Sequence, residues 1–340
     1  MTQAIHIRDA VEADCAPLTA LCLRSKAHWG YDDAFMARCR PVLTVTPATL
    51  RSMTVRVAET NGGTLLGVAA WGACEERPAS AEAELELMFV EPGAMGRGVG
   101  RRLARDLRAQ LQRRGVEVLW ILSDPGAEPF YRRLGALRVG RRSSDAIPGR
   151  QRPWLRLFVG GPPESLETER LRLRLWELGD RDPFAALNAD ARVAQYLPST
   201  LDRSESDALA ERIDVGFSQY GFGLWAVERT DLPGRPFVGA LGLSVPSFDA
   251  HFTPCVEIGW RLAAEHWGLG LATEGARAVA AHAFGPLGLD RLVSFTVPTN
   301  LASRRVMEKI GMRHDRDGDF EHPSLPAGHA LRRHVLYRLP

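Results

Sequence analysis

Two glycine-rich loops stand at matching places in this sequence, and their residue types suit them to hold an anion. The loops are Met95-Gly96-Arg97-Gly98-Val99-Gly100 and Trp267-Gly268-Leu269-Gly270-Leu271-Ala272. Glycine permits backbone conformations that bring several N–H groups around one small volume. A helix that begins there adds unpaired N–H groups and a partial positive charge, which together suit a pyrophosphate. A turn that needs glycine for steric reasons alone is the alternative, and the recurrence of the loop argues against it.

The surroundings of the two loops also match. A predicted strand precedes each loop, Glu84–Val90 in the first case and Val256–Leu262 in the second. A predicted helix follows each loop, and each half later carries a hydrophobic stretch that ends in glycine, at 130–135 and 306–311. We therefore interpret the chain as one domain plan used twice.

The elements that must position these loops follow the same order in both halves. Alternating and helical hydrophobic patterns predict a strand, helices, a hairpin, a strand, the loop with its helix, a strand, a helix and a final strand. This order predicts an α/β fold with a mixed sheet and helices on both faces, in two copies. The stretch Gly160–Ser165 contains two glycines and two prolines and is the best linker candidate. The predicted domains are 1–160 and 168–340, joined by a linker at 161–167.

Composition excludes several classes of protein. The chain has 340 residues and a formal net charge of +2, so nothing in the overall charge indicates nucleic-acid binding. Its five cysteines are scattered without Cys-x-x-Cys spacing, which argues against a disulfide framework or a zinc site, and the histidines show no ligand spacing, so no metal is expected. No secretion signal or membrane-length apolar run is evident, so we expect a cytoplasmic protein without membrane association.

Other nucleotide-binding loops fit poorly. A dinucleotide-binding loop follows the first strand of its domain as Gly-x-Gly-x-x-Gly, whereas these loops come after about the fourth strand. Neither loop has the Lys-Ser/Thr ending of an ATP-binding P-loop. A nucleotide-binding oxidoreductase is therefore the remote alternative.

At these residues the chain resembles the GNAT superfamily of acyl-CoA-dependent N-acetyltransferases, whose loop reads Gln/Arg-x-x-Gly-x-Gly/Ala. The resemblance covers nearly the whole chain, although Met95 and Trp267 replace the usual Gln or Arg. The second half is similar to the Rim-type branch that acetylates ribosomal-protein N-termini, in its opening 168–174, its loop and its segment Asn300–Gly311. The resemblance implies tandem domains with mostly antiparallel, splayed sheets, and it implies acetyl-CoA as the cofactor.

The resemblance also implies which residues contact the cofactor. Backbone N–H groups near Phe89–Val90 and Arg261–Leu262 would lie close to the thioester carbonyl. Both loops, from Met95 to Gly100 with the adjacent Arg101 and from Trp267 to Ala272, would hold the pyrophosphate. Asn300 matches a residue that contacts the pantetheine arm, and Ser303, three residues later, is also expected to contact the cofactor. An N-cap and first helical turn is the alternative role of these last two residues.

Acetyl transfer to an amine requires a base, a donor for the developing oxyanion and an acid for the leaving thiolate. Tyr131 lies where the resemblance implies a thiol-protonating tyrosine, with simple packing as the alternative. Glu84 lies eleven residues before Met95, at the place of a general base, and Glu86 is its rival on the same strand face by two-residue alternation. In the second half Met307 occupies the tyrosine position, so Ser303, acting through water, and Glu257 are the candidates.

The segment His28-Trp29-Gly30-Tyr31-Asp32 borders the acceptor site in the fold that the resemblance implies. We predict that His28, Trp29, Tyr31 and Asp32 bind a cationic or aromatic amine through cation–π contacts and charge. Aromatic packing that seals a helix pair is the alternative.

The sequence as a whole predicts direct acetyl transfer to a primary amine, either a small molecule or a peptide N-terminus, because no cysteine is placed for a covalent intermediate. The oligomeric state stays open, with a homodimer as one option. One alternative is that one domain is inactive and serves as an acyl-CoA sensor or a dimerisation scaffold. Another is a non-catalytic regulator that binds acyl-CoA in both halves.

Overall fold

Each half of the chain builds its own mixed sheet with helices. The structure, a computed structural model, describes residues 5–74, 81–160 and 165–340. The chain divides into two compact units, Met1–Gly161 and Pro162–Pro340. Residues 161–164 of the predicted linker lie outside the described ranges. Its last two residues, Leu166–Glu167, are not linker but form a short strand of the second sheet.

The first unit contains seven strands and five α-helices among its described residues. In chain order they are β1 (Ile5–Asp9), α1 (Cys15–Ala27), α2 (Asp33–Leu43), α3 (Pro47–Ser52), β2 (Thr54–Thr60), β3 (Leu65–Ala73), β4 (Glu82–Val90), α4 (Val99–Arg113), β5 (Val118–Leu122), α5 (Glu128–Arg133), β6 (Leu137–Ser143) and β7 (Gln151–Phe158). The predicted hairpin is β2–β3, and the first glycine loop joins β4 to α4.

The second unit repeats this plan with small differences. Its elements are β8 (Leu166–Glu167), β9 (Leu171–Arg174), α6 (Arg181–Ala189), α7 (Ala191–Ala194), α8 (Arg203–Tyr220), β10 (Leu224–Arg229), β11 (Phe237–Ser244), β12 (Glu257–Leu262), α9 (Leu271–Phe284), β13 (Leu292–Thr296), α10 (Leu301–Lys309), β14 (Arg313–Glu321) and β15 (Arg333–Leu339). The second glycine loop joins β12 to α9.

Both sheets have the same strand pattern. The order is β1-β2-β3-β4-β5-β7-β6 in the first sheet and β14-β15-β13-β12-β11-β10-β9-β8 in the second. Among the strands of the described residues, only the pairs β4–β5 and β12–β13 are parallel, so the prediction of mixed, mostly antiparallel sheets is confirmed. The prediction of a single closing strand is wrong, because each unit ends in a hairpin whose second strand lies between the first and the rest of the sheet.

Helices cover both faces of the first sheet. Leu18 and Leu21 of α1 belong to the same buried cluster as Val57 and Val68 of the β2–β3 hairpin. On the other face, α4 contributes residues spaced four apart, Val99, Leu103, Leu107 and Leu111, which are all buried. This spacing places them on one side of the helix, as its sequence predicts. The second sheet has α9 on one face, where Gly275 packs against Leu241.

An arginine network repeats in the two units. Arg8 on β1 bonds Asp14, just before α1, and Glu59 on β2. Arg174 on β9 bonds Asp180, just before α6, and Glu228 on β10. In each unit one guanidinium therefore ties its own strand, β1 or β9, to a neighbouring strand and to the chain that enters the following α-helix. The carboxylate of Asp14, the residue before α1, accepts from Arg8 and from the Val11 amide.

Candidate active site

The two glycine loops have the same backbone conformation. Gly96 and Gly268 have φ of 76° and 74°, and Gly98 and Gly270 both have φ of 83°. Side chains other than glycine are disfavoured in this region. A Cβ added at Gly96, Gly98 or Gly268 would meet no atom within 4 Å. Glycine is therefore required by the backbone conformation and not by crowding, and the space in front of each loop is open.

Each loop leads directly into a helix whose first amides are unpaired. The first helical bonds run from the Arg102 amide to Gly98 and from the Glu274 amide to Gly270, at 3.1 and 3.0 Å. Glycine at the N-cap offers no side chain to the amides before them. Within the described residues the amides of 98–101 and 270–273 have no hydrogen bond, so both helix starts present free donors and the positive end of the helix dipole.

We call each glycine loop, together with the free amides that follow it, a cradle. The second cradle has an additional cation that the sequence motifs did not single out. Arg170 donates from Nη1 to the Leu269 carbonyl at 3.1 Å, and its Nη2 lies 3.7 Å from the Cβ position at Gly270. Glu274 in the first turn of α9 holds it, with Nε to Oε2 at 2.8 Å. Trp267 braces the same loop, because its indole donates to the Leu262 carbonyl at 2.8 Å. In the first cradle, Arg97 and Arg101 are exposed beside the loop.

Next to each cradle the sheet opens, as the splayed fold requires. The parallel pairing of β4 with β5 ends at Leu85 and Ile121, and β12 pairs with β13 only at Glu257 and Val293. Beyond these pairs, the described residues show no further parallel pairing of β4 with β5 or of β12 with β13. The amides there are left to face a gap.

Strand alternation identifies which amides face the gap. The Glu91 amide donates across to β3 and the Ala263 amide donates across to β11, both at 2.9 Å. Because successive N–H groups of a strand point to opposite sides, the amides of Val90 and Leu262 point away from those neighbours and into the gap. By the same alternation, the Phe89 and Arg261 amides point back into the sheet. Val90 and Leu262 are therefore the donors that the geometry supports among the four predicted residues.

A bulge in β4 distinguishes the two predicted glutamates of the first unit. Trp71 pairs with Leu85 and Ala70 pairs with Leu87, so Glu86 is an extra residue in β4. As a result, Leu85 packs on the α4 side of the sheet and Leu87 on the α1 side. The two-residue alternation predicted to relate Glu84 to Glu86 therefore does not hold through Glu86. Glu84 is half-buried and Glu86 is exposed.

Register shows that Glu84 and Glu257 occupy equivalent places. The β3 residue that pairs with Glu84 lies five residues from the β3 residue that pairs with Val90. In the same way, the β11 residue that pairs with Glu257 lies five residues from the β11 residue that pairs with Leu262. The bulge at Glu86 accounts for the one extra residue between Glu84 and its loop.

Glu257 lies in an apolar environment. Its neighbour across the parallel pair is Val293, which belongs to a buried cluster with Phe252, Phe320 and Leu336. Burial raises the pKa of the Glu257 carboxyl to about 7, and a hydrogen bond from the Ser244 hydroxyl at 3.0 Å opposes the rise. A carboxyl that titrates near neutral pH can exist as a base and yet accept a proton readily, as a general base must.

Tyr131 lies in α5 at the wall of an apolar cleft between α4 and the sheet. Leu85, Met88 and Leu107 line this cleft with it. Burial raises the pKa of the Tyr131 phenol above its ordinary value, so the hydroxyl is protonated throughout the neutral range. It has no hydrogen bond to other described residues, which leaves its proton available to a group that enters the cleft.

The second unit lacks an equivalent phenol. Met307 in α10 is buried at 1% exposure and cannot donate a proton. Asn300 is the N-cap of α10, with its Oδ1 accepting from the Ser303 amide at 3.1 Å and its amide nitrogen donating to Thr296 at 3.0 Å. The capping alternative for Asn300 and Ser303 is therefore observed. The Ser303 side chain is half-buried at the start of the helix.

Comparison with known proteins decides the family. Two family models, each described as an acetyltransferase (GNAT) domain, match the chain. One covers residues 51–135 and the other covers residues 170–313. The chain belongs to the GNAT acetyltransferase family. One match falls in each unit, so the predicted tandem arrangement of GNAT domains and the prediction of an N-acetyltransferase are both confirmed.

Individual relatives each align with less than half of the chain. YkkB of Bacillus subtilis (strain 168) is 34% identical over 154 residues, 44% of this chain and 86% of that protein. FsC-acetyl coenzyme A-N(2)-transacetylase of Aspergillus fumigatus is 31% identical over 157 residues, 44% of this chain and 65% of that protein. N-alpha-acetyltransferase RimI of Mycobacterium tuberculosis is 36% identical over 108 residues, 31% of this chain and 67% of that protein.

Solved structures of GNAT proteins are also similar. An acetyltransferase of Bacillus anthracis is 25% identical, with a TM-score of 0.43, and covers 52% of this chain and 98% of its own. RimJ of Mycobacterium smegmatis in complex with CoA-disulfide is 20% identical, with a TM-score of 0.43, and covers 52% of this chain and 87% of its own.

The predicted acceptor-binding residues of this GNAT protein have several roles. Asp32 caps α2, since its carboxylate accepts from the Phe35 amide at 2.7 Å. Tyr31 stacks on Phe35 with ring centroids 4.0 Å apart. Trp29 is 47% exposed, and its ring lies against Gly126, where an added Cβ would approach it to 2.8 Å. His28 is exposed beside Trp29. Packing thus explains part of this segment.

Thiols and metals contribute little to the described site. All five cysteines are buried, and burial raises the pKa of Cys22 and of Cys255 to about 12. Such thiols are poor nucleophiles. Among residues 5–74, 81–160 and 165–340 no group of three or more His, Cys, Asp or Glu side chains is arranged to hold a metal ion. Within the same ranges no helix combines the length and apolar character that crossing a bilayer requires.

Proposed function

We propose that each unit binds acetyl-CoA, with the pyrophosphate in its glycine loop, and that the protein transfers the acetyl group to a primary amine by direct attack in a ternary complex. The observation that carries this proposal is the matched pair of cradles, each beside an outward strand amide. The loops fit the group because free amides converge there on open space. When bound, acetyl-CoA supplies the activated acetyl thioester.

In the second unit Glu257 acts as the general base, directly or through a water. Its raised pKa suits it to take a proton from an ammonium group near neutral pH. The Leu262 amide stabilises the negative charge that develops on the carbonyl oxygen. Ser303 positions a water that returns a proton to the leaving thiolate, since a serine hydroxyl is a poor acid by itself.

In the first unit Glu84 takes the same part as Glu257, with the exposed Glu86 as its rival. The Val90 amide faces the gap and donates to the carbonyl oxygen, and Tyr131 donates its proton to the leaving thiolate. Direct attack is favoured over a covalent enzyme intermediate, because the cysteines are buried and two of them hold their protons well above neutral pH.

A second candidate function rests on Met307. Since this residue replaces the phenol, the second unit can be inactive and serve as an acyl-CoA sensor or as a dimerisation scaffold, while the first unit catalyses. The acceptor in either case is a small-molecule amine or a peptide N-terminus, and the relatives named RimI and FsC-acetyl coenzyme A-N(2)-transacetylase support both classes. A cytoplasmic location and a homodimer belong to the same proposal.

Release of coenzyme A thiol with a panel of amines tests this proposal. The full chain is compared with Gly98→Glu and Gly270→Glu, which place a side chain and a negative charge in one cradle each. Gly98→Ala and Gly270→Ala are the matched controls for backbone strain. Activity lost in only one Glu variant identifies the catalytic unit, and activity reduced in both identifies two. Activity that survives in a doubly substituted protein contradicts the assignment of the cradles.

A further inference from the structure

A cluster of charged residues lies at the end of β5 in the first unit, where α1, the α1–α2 turn and the β6–β7 hairpin meet. Lys26 donates to Asp124 at 2.5 Å, and the Tyr31 hydroxyl donates to the same carboxylate at 2.8 Å. Arg150 reaches both, with Nη2 at 2.7 Å from the Tyr31 oxygen and 3.2 Å from Asp124. Arg152 donates to the Ser123 carbonyl beside them.

Cations outnumber carboxylates in this cluster. Three cationic residues surround the single carboxylate of Asp124, and Asp145 is a further acidic residue whose charge acts on Arg152. Burial opposes ionisation of Asp124, but hydrogen bonds from Lys26 and Tyr31 hold the pKa of its carboxyl at about 2. The carboxylate is therefore ionised and already paired with groups of the protein itself. The cluster therefore keeps at least one uncompensated positive charge.

The aromatic rings of the cluster are occupied by the protein's own cations. Lys26 Nζ lies 5.0 Å from the Tyr31 ring centroid. The Arg150 guanidinium lies 5.1 Å from the Tyr31 centroid and 4.8 Å from that of Phe35. Cation–π recognition of a cationic acceptor by Tyr31, which the sequence predicted, would bring a further positive charge against these two. The charge of the site favours the opposite kind of ligand.

Arg150 still has donors to offer. Within the described residues, Arg150 donates its hydrogen bonds from Nη2, and its Nε and Nη1 donate to none of these residues. A guanidinium fork of this kind matches the two oxygens of a carboxylate or phosphate. The side chain is 18% exposed, and the exposed Trp29 lies against Gly126, whose amide donates to Asp124.

The cluster lies close to the reaction site that we propose. Asp124 accepts backbone bonds from Ala127 and Glu128 at the start of α5, the helix that carries Tyr131. The charges of both Arg152 and Asp124 reach the Tyr131 phenol. A ligand held at Arg150 would therefore border the acyl-transfer site.

We propose that the first unit selects acceptor amines that carry an anionic group, a carboxylate or a phosphate, and that Arg150 binds this group. The inference rests on the proposed acetyltransferase function of the first unit, and it names the class of acceptor. Lys26 and Asp124 hold Tyr31 and Arg150 in place, and Arg152 adds positive charge.

Matched acceptors test the proposal in the full chain carrying Gly270→Glu, which confines transfer to the first unit. The probes are 4-(aminomethyl)benzoate, 4-(aminomethyl)phenyl phosphate, the neutral 4-(aminomethyl)benzamide and the cationic amine putrescine. We expect kcat/KM to be on the order of 10- to 100-fold higher for an anionic probe than for the amide, as charge-assisted hydrogen bonds imply. The benzoate and phosphate arms show which anion is preferred.

Arg150→Gln should remove this preference by raising KM for the anionic probes, while the amide and the Kd for acetyl-CoA change little. Arg150→Lys should restore part of it, because the charge returns without the fork. Arg114→Gln, which removes one charge near the C-terminal end of α4, is the control and should leave the preference intact. Equal loss for anionic and neutral probes in Arg150→Gln would indicate a structural role only and would overturn the proposal.

A binding measurement separates this inference from the function on which it rests. Calorimetric titration of the same probes into protein saturated with coenzyme A requires no turnover. Tighter binding of the anionic probes that Arg150→Gln abolishes supports the anion site, even if none of them is acetylated, in which case the catalytic proposal for the first unit fails alone. Equal affinity for the benzoate and the amide, or tighter binding of putrescine, overturns the anion site.

Discussion

Replacement of Glu257 by glutamine tests the role assigned to the strand carboxylate, since glutamine keeps the shape and removes the charge. Burial raises the pKa of this carboxyl from 4.5 to about 7. At about 1.4 kcal/mol for each pKa unit, holding the ionised form in the folded protein costs about 3 kcal/mol. The second unit therefore carries a destabilising charge at its proposed base.

The sign of the pH effect follows from the raised pKa. Below pH 4.5 the carboxyl is protonated in both the folded and the unfolded chain, and its contribution to stability is fully present. That contribution is lost as the pH rises through 7, where the folded protein must ionise it. Glu257→Gln should therefore stabilise the second unit by about 3 kcal/mol at pH 8 and by less than about 1 kcal/mol at pH 5.

Hydrogen exchange of β11 and β12 in rising denaturant measures this stability locally, which matters because two units need not unfold together. Activity of the second unit is followed in a Gly98→Glu background with an arylamine acceptor whose own pKa lies below 5. The rate should rise with pH through about 7, and Glu257→Gln should lower it by about 10²- to 10⁴-fold. Ser244→Ala removes the opposing hydrogen bond and should move the midpoint to higher pH.

Two results would refute this reasoning. One is a stability difference between Glu257→Gln and the parent protein that is the same at pH 5 and pH 8. The other is a pH profile whose midpoint is unchanged in both Glu257→Gln and Ser244→Ala. The first would show that the carboxyl is not desolvated, and the second would show that it is not the titrating base.

Three further substitutions separate catalysis from folding. Tyr131→Phe should lower kcat of the first unit by about 10²- to 10⁴-fold with the Kd for acetyl-CoA unchanged, because the hydroxyl has no bond to described residues; an unchanged kcat assigns the acid elsewhere. Gly126→Ala should push Trp29 outward, seen as altered tryptophan emission and a raised acceptor KM, whereas unchanged emission contradicts the contact. Arg174→Gln should lower the free energy of unfolding by about 3–5 kcal/mol and Arg8→Gln by about 1 kcal/mol, because the two side chains are 10% and 30% exposed. Denaturant titrations measure both losses, and equal losses would show that burial is not the cause.

Local signals made much of the fold predictable. The spacing of Leu103, Leu107 and Leu111 encodes the buried face of α4, and the glycines mark the loops without any long-range information. The strands β6 and β14 were missed because they are edge strands rich in charged residues, such as Arg313–Glu321. So many charged positions leave too few apolar residues to show the hydrophobic alternation on which the prediction depends.

The parts of the site that the sequence did not reveal depend on contacts between distant segments. Lys26 meets a carboxylate 98 residues away, and Tyr31 meets Arg150 119 residues away. The bulge at Glu86 appears only in the pairing with β3. Arg170 lies in the opening segment 168–174, which the sequence marked only by its similarity to the Rim-type branch. Its contact with the second loop joins residues that are 99 positions apart in the sequence.

Calorimetric titration of the full chain with acetyl-CoA tests most directly whether both glycine loops are cofactor cradles. We expect two sites for the parent protein, one remaining site in Gly98→Glu and one in Gly270→Glu. The matched Gly98→Ala and Gly270→Ala variants should weaken binding less, because they add backbone strain without the charge. A single site in the parent protein, no binding at all, or two sites retained in either Glu variant would show that the two loops are not both cofactor sites.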